Sequence, residues 1–210
     1  MIRPARATDV PLVAHVLEMA ARAHLPKGSW DFVFEDAEDR RRGLEVMAGG
    51  DVSSWCHRGL FHVAEVDGTP AAALCTYEAA SLGDTSLAPA IAAAYESLGW
   101  APERLAALGT LMGAYLRVFP DSPPGTWIVE NVGTEPAFRR RGLVARLLDD
   151  ALERGRRAGW KNAQISCLIG NTAARMAYEK AGFACVEECC DDEFQAIVGA
   201  PGFARLTLTL

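Results

Sequence analysis

Between Thr134 and Leu148 the chain reads T-E-P-A-F-R-R-R-G-L-V-A-R-L-L. A strand-like run stops, three arginines follow, Gly142 turns the chain, and a helical apolar pattern starts at Leu143. The first N–H groups of a helix lack internal partners and sit at the positive end of its dipole. Glycine lets a ligand approach the backbone without a Cβ in the way. Arg139, Arg140 and Arg141 add positive charge. Together these residues predict a receptor for a phosphate or pyrophosphate. A solvated basic loop with a glycine turn has the same composition and stays open as the alternative. The segment is neither a P-loop, which needs Gly-Lys-Ser/Thr, nor a G-x-G-x-x-G fingerprint.

Two other stretches carry chemically useful side chains. Ser29 to Asp36 sets Trp30, Phe32 and Phe34 among Asp31, Glu35 and Asp36. Aromatic rings beside carboxylates suit an amine with an apolar body, although such a loop can equally tuck its rings into the core. Cys185, Cys189 and Cys190 form a cluster with Cys56, Cys75 and Cys167 elsewhere. They make no C-x-x-C pair and lack a second ligand pair at zinc spacing, so ordinary reduced thiols and no metal are expected.

These residues must be held by a fold, and composition bounds it. The chain has 210 residues, 50% of them hydrophobic and 23% charged. With a mean hydropathy of +0.05 it is a globular sequence with enough length for a full core. Its 21 basic and 27 acidic residues leave a net charge of −6. That acidity argues against nucleic-acid binding and is compatible with a cationic substrate. No run resembles a signal-peptide core or a membrane span, so a cytoplasmic protein away from membranes is expected.

Along the chain, Ile2–Ala5 reads as a strand, followed by Thr8 as the cap of a first helix. A second helix is expected over Glu35–Met47, closing at Gly49-Gly50. Strands at Leu60–Val66 and Thr69–Tyr77 flank Asp67-Gly68, a hairpin signal. A helical pair follows, with Ser86 capping Leu87–Leu98 and Pro102 opening Glu103–Val118. It reads as an insertion at about 81–124. The last 85 residues alternate between strands (126–134, 163–169, 184–189, 205–210) and helices starting at Leu143 and Asn171. The fold class expected is α/β (α+β): one domain over 1–210, with helices on both faces of a central sheet that begins antiparallel.

Phe138 to Val144 resembles the pyrophosphate loop of the GNAT superfamily of N-acetyltransferases, whose pattern is Arg/Gln-x-x-Gly-x-Gly/Ala. Arg139 and Gly142 match, and Val144 stands where Gly or Ala is usual. A second segment follows at the family's spacing. Asn171-x-x-Ala174 leading to Tyr178-Glu179-Lys180-Ala181-Gly182-Phe183 is similar to Asn-x-x-Ala-x-x-Leu-Tyr-Glu-Lys-x-Gly-Phe, with Ala177 for Leu.

The resemblance implies a mixed, mostly antiparallel sheet whose parallel strands at 126–134 and 163–169 splay apart. It implies acetyl-CoA in that opening, its pantetheine amides replacing the missing strand pairing. The backbone at Val132 would meet the thioester carbonyl and the developing oxyanion. Thr134 would continue toward pantetheine, and the loop from Arg139 through Gly142, Leu143, Val144 and Ala145 would hold the pyrophosphate. Asn171 would hydrogen-bond the pantetheine arm, cap its helix, or do both.

Tyr178 takes the family's general-acid position, against a plain packing role. A phenol is neutral at pH 7 and can donate to a departing thiolate. Glu130 is the candidate base, on the face of Ile128 and Val132 if strand alternation holds, against a structural carboxylate role. In this fold the acceptor pocket borders the segment containing Trp30, Asp31, Phe32 and Glu35. The helical pair could roof that pocket or form a homodimer surface. The function implied is acetyl transfer to the amine of a small molecule or peptide. A non-catalytic acyl-CoA-binding module is the alternative.

Overall fold

The computed structural model describes residues 1–81, 87–101 and 103–210. Ser86 and Pro102, expected as helix starters, lie outside them. Seven strands form one sheet: β1 (Ile2–Pro4), β2 (Phe61–Val66), β3 (Thr69–Glu78), β4 (Thr126–Thr134), β5 (Asn162–Leu168), β6 (Ala184–Cys190) and β7 (Gly202–Thr209). Their order across the sheet is β1-β2-β3-β4-β5-β7-β6. Every neighbouring pair is antiparallel except β4 and β5. The β2–β3 turn places Asp67 at φ 50° and Gly68 at φ 79°, the left-handed pair that a tight hairpin requires.

Helices α1 (Val10–Arg22), α2 (Ser29–Val33) and α3 (Ala37–Gly49) cover one face, joined by α4 (Leu87–Ser97), α5 (Arg104–Ala107) and α6 (Gly109–Val118). Helices α7 (Leu143–Arg157) and α8 (Thr172–Lys180) cover the other, and α9 (Asp192–Val198) returns to the first. The apolar stripe of α7 buries Leu143, Leu147, Leu148, Ala151 and Leu152. Burial of such residues at about 25 cal/mol per Å² fixes the face that α7 turns to the sheet.

Some boundaries differ from the sequence reading, each for a local reason. Thr8 lies inside a 3-10 turn, and Asp9 ties that turn instead. Its Oδ2 accepts from the Arg6 N–H at 2.7 Å and from Arg3 at 2.6 Å. The expected loop at 29–36 contains α2, and α3 starts late because Asp36 caps it through the N–H groups of Glu38 and Asp39. The helix expected over Glu103–Val118 is two helices, α5 and α6, broken at Leu108 before Gly109. A glycine inside a helix costs about 1 kcal/mol. Helix α9 was not expected, yet Asp191 caps it by accepting from the Phe194 N–H at 2.8 Å, and Gly199 closes it in the left-handed conformation.

Candidate active site

Strands β4 and β5 pair only from Thr126–Val129 against Asn162–Ile165. Beyond that point they part. Glu130, Gly133 and Thr134 stay on β3, opposite Cys75, Ala73 and Ala72. Ser166, Cys167 and Leu168 stay on β7. The parting opens a cavity of about 1090 Å³ that runs from the start of α7 past the sheet to α4 and α6.

A bulge shapes the β4 side of this opening. Three steps on β4, Glu130 to Gly133, oppose two on β3, Cys75 to Ala73. The extra residue is accommodated with Asn131 at φ 50°. Glu130 lies across from Cys75 and Ile128 across from Tyr77. Val132 packs with Val129 toward α7, on the opposite side of the sheet. The alternation that would set Glu130 and Val132 on one face is therefore broken: Glu130 shares a face with Ile128 only.

Glu130 is half-buried on the cavity wall. Desolvation pushes its carboxyl up to about 7, against an opposing pull from the neighbouring Tyr77 hydroxyl. Tyr178, on α8, lines the same cavity and is 7% exposed. Burial, then the charges of Cys167 and Glu130, hold its phenol above the usual tyrosine range, so it keeps its proton at neutral pH. A group near 7 and a protonated phenol thus face one opening, the pairing that proton transfer needs. Burial also raises the Cys167 thiol, to about 11, which leaves it a poor nucleophile at neutral pH.

At the far end of the cavity, Gly142 caps α7 at φ 72° and Arg140 stands at φ 63°. Left-handed residues flanking an ordinary one curl successive amides toward an anion. A Cβ on Gly142 would meet nothing of the protein, so the space it leaves is open to a ligand. Arg139, Arg140, Gly142, Leu143 and Val144 line the cavity. Arg141 does not: its guanidinium lies 5.3 Å over the Phe138 ring. Ala145 is exposed on the first turn of α7, also off the cavity wall. Thr134 Oγ1 is buried without a hydrogen-bond partner among the described residues, and Thr134 lines the opening. Asn171 Oδ1 accepts from the Ala174 N–H at 3.3 Å to cap α8, and the residue also lines the cavity. No group of three or more His, Cys, Asp or Glu among the described residues is placed to hold a metal ion.

Of the four residues expected at an acceptor pocket, only Trp30 lines the cavity. Asp31 is turned away into ion pairs, with Arg22 at 2.6 Å and Arg40 at 3.2 Å, and accepts from the Gly28 N–H at 2.8 Å. Glu35 is exposed and pairs with Arg104 at 3.3 Å. Phe32 is partly buried against the core cluster. Residues that sequence reasoning missed take their place: Trp55, Tyr77, Tyr115 and Asp121. They come from four separate segments, and no local pattern marks them.

A family model described as the acetyltransferase (GNAT) family matches residues 30–183. The chain belongs to this family. An N-acetyltransferase from Staphylococcus aureus Mu50 is similar in structure, with a TM-score of 0.68 at 21% identity over 99% of this chain and 100% of that one. A second acetyltransferase gives 0.70 at 19% identity, covering 100% and 98%. Rv2747 from Mycobacterium tuberculosis, in complex with CoA, gives 0.52 at 13% identity, covering 100% and 99%. These likenesses show the GNAT fold. Comparison with curated proteins gives no match.

Proposed function

We propose that this GNAT-family chain moves an acetyl group from acetyl-CoA to a primary amine, by direct attack while both are bound. The observation that carries this is that Glu130 and Tyr178 both line the cavity at the β4–β5 opening, with the Arg139–Val144 helix start on the same wall. Three features of the opening fit the CoA moiety: the unpaired Thr134 hydroxyl, the open space at Gly142, and the strand edges left free by the splay. Acetyl-CoA supplies an acetyl group already activated as a thioester.

The chain's residues then have these roles. Glu130 accepts the proton the amine must lose as its nitrogen bonds to the acetyl carbon. The Val132 N–H donates to the acyl oxygen as charge builds there. Tyr178 gives its proton to the sulfur as the carbon–sulfur bond breaks, and recovers one from solvent. Arg139, Arg140 and the amides of Gly142 to Val144 hold the pyrophosphate, with Arg141 and Ala145 outside the cavity wall. Asn171 caps α8 and offers its amide to the pantetheine arm. The chain acts as one domain over 1–210, in which α4 to α6 are an insertion that walls the acceptor side.

Replacing Tyr178 with Phe tests this reading. The ring and its packing remain, so CoA affinity by calorimetry should stay within about threefold. Turnover at saturating substrates should fall about 10²-fold or more. Full turnover in Tyr178→Phe would make the tyrosine a packing residue.

A further inference from the structure

We infer that the acceptor is a primary monoamine carried on an apolar body of roughly aromatic size. This rests on the acetyl-transfer reading above and concerns the end of the cavity beyond Glu130. There the wall includes Trp30, Trp55, Tyr77, Ile91, Met112 and Tyr115, with Ser29 as a polar neighbour of Trp30. Trp30 and Trp55 lean on each other with ring centroids 5.9 Å apart. Tyr115 packs edge-on to Phe194 at 4.9 Å, which fixes its ring against the wall. Such a surface gains from burying a hydrocarbon and offers few partners to a polyol.

Charge separates the candidates further. Among the described residues the cavity wall holds two carboxylates, Glu130 and Asp121, and Asp121 is exposed. Glu130 serves the reacting nitrogen. A second ammonium deeper in the aromatic lobe would have to be buried without a counter-charge, which is strongly unfavourable. Three acids near Trp30 in sequence are already paired, and Glu78, beside Tyr77, accepts from the Gly125 N–H at 3.0 Å and does not line the cavity. Asp31 is held by Arg22 and Arg40, Glu18 by Arg40 at 2.7 Å, and Glu35 by Arg104. At the other end Arg139 and Arg140 would repel a long polycation. A single amine at Glu130 with a ring among the tryptophans leaves no buried charge without a partner; a polyamine or an aminoglycoside does.

The test is thiol release from acetyl-CoA by the full chain, with CoA binding measured separately by calorimetry. The amines are 2-phenylethylamine and tryptamine against spermidine, cadaverine, kanamycin and ethylamine. The expected result is a kcat/KM at least tenfold higher for the two ring-bearing monoamines than for any other. Met112→Glu, which sets a carboxylate in the apolar lobe, should shift the cadaverine to 2-phenylethylamine ratio upward by tenfold or more. Preference for spermidine, cadaverine or kanamycin in the wild-type chain would overturn the monoamine inference and leave the acetyl-transfer reading standing. Equal rates for ethylamine and 2-phenylethylamine would overturn the aromatic lobe as a specificity element. Tight CoA binding with no amine acetylated would overturn both readings.

Discussion

Replacing Glu130 with Gln should make the protein less active and more stable, and the two effects should depend on pH in a linked way. Burial raises the carboxyl from 4.5 to about 7 in the folded chain. At about 1.4 kcal/mol per pH unit, ionising it in place costs folding about 3 kcal/mol once the pH is above both values. The sign follows from proton uptake. The folded state binds this proton more tightly, so the stability it contributes is present below the unfolded value and is lost as pH rises through about 7. Glutamine has no such charge. Allowing for partial exposure and for the altered contact with Tyr77, Glu130→Gln should gain about 1–3 kcal/mol over wild type at pH 8 and less than about 1 kcal/mol at pH 5. Urea unfolding followed by circular dichroism at both pH values measures this. Turnover should fall about 10²-fold or more, and the rise of wild-type kcat/KM with pH through about 7 should vanish. A variant that loses the same stability at pH 5 and pH 8 would refute the reasoning, because the carboxylate would then be a favourable structural partner.

Gly142→Asn keeps a residue tolerant of positive φ but fills the open space, so CoA affinity should drop more than tenfold, or about 1.4 kcal/mol, with the fold intact. Unchanged affinity by calorimetry would move the ligand elsewhere. Asp31→Ala should cost about 2–4 kcal/mol in urea unfolding, because Arg22 and the buried Arg40 lose a partner, while kcat/KM of the folded enzyme stays within a few-fold. A large loss of kcat/KM without a loss of stability would return Asp31 to the acceptor. Cys167→Ala should leave activity within a few-fold, and an acetyl-cysteine adduct seen by mass spectrometry would contradict this.

How much of this was legible in the sequence depended on distance along the chain. Helix α7 and its entry were readable because Gly142, the arginines and the apolar stripe from Leu143 are contiguous. Asn171 as a cap and Asp67-Gly68 as a turn are equally local. The Asp191 cap and Gly199 end of α9 are local too, but seven residues between two strands are too short to show a helical period. The bulge in β4 left one faint mark, an asparagine followed two residues later by a glycine, because its cause is the pairing with β3. The position of β7 between β5 and β6 is likewise non-local. The charges of Asp31 and Glu35 were visible, but their fate was decided by Arg22, Arg40 and Arg104 on other helices. The rings that wall the cavity around Trp55 and Tyr115 meet only once the sheet is formed.

The parting of β4 from β5 has a consequence for how the sheet meets solvent. Past Val129 and Ile165 each strand keeps a ladder on one side, β4 to β3 through its bulge and β5 to β7, while the side toward the cleft is bare. The molecule thus carries two half-edges in its interior, where the broad strand of another chain has little access and a slender amide-bearing arm can enter. Bare edges on an outer rim invite aggregation; sunk in a cleft they are sheltered from it. Neither strand needs to loosen for the cleft to stay open. In deuterated water the amides along Ser166–Leu168 should exchange alternately, those aimed at β7 slowly and those aimed across the cleft fast. A two-residue rhythm of protection inside the sheet would be the solution signature of this opening.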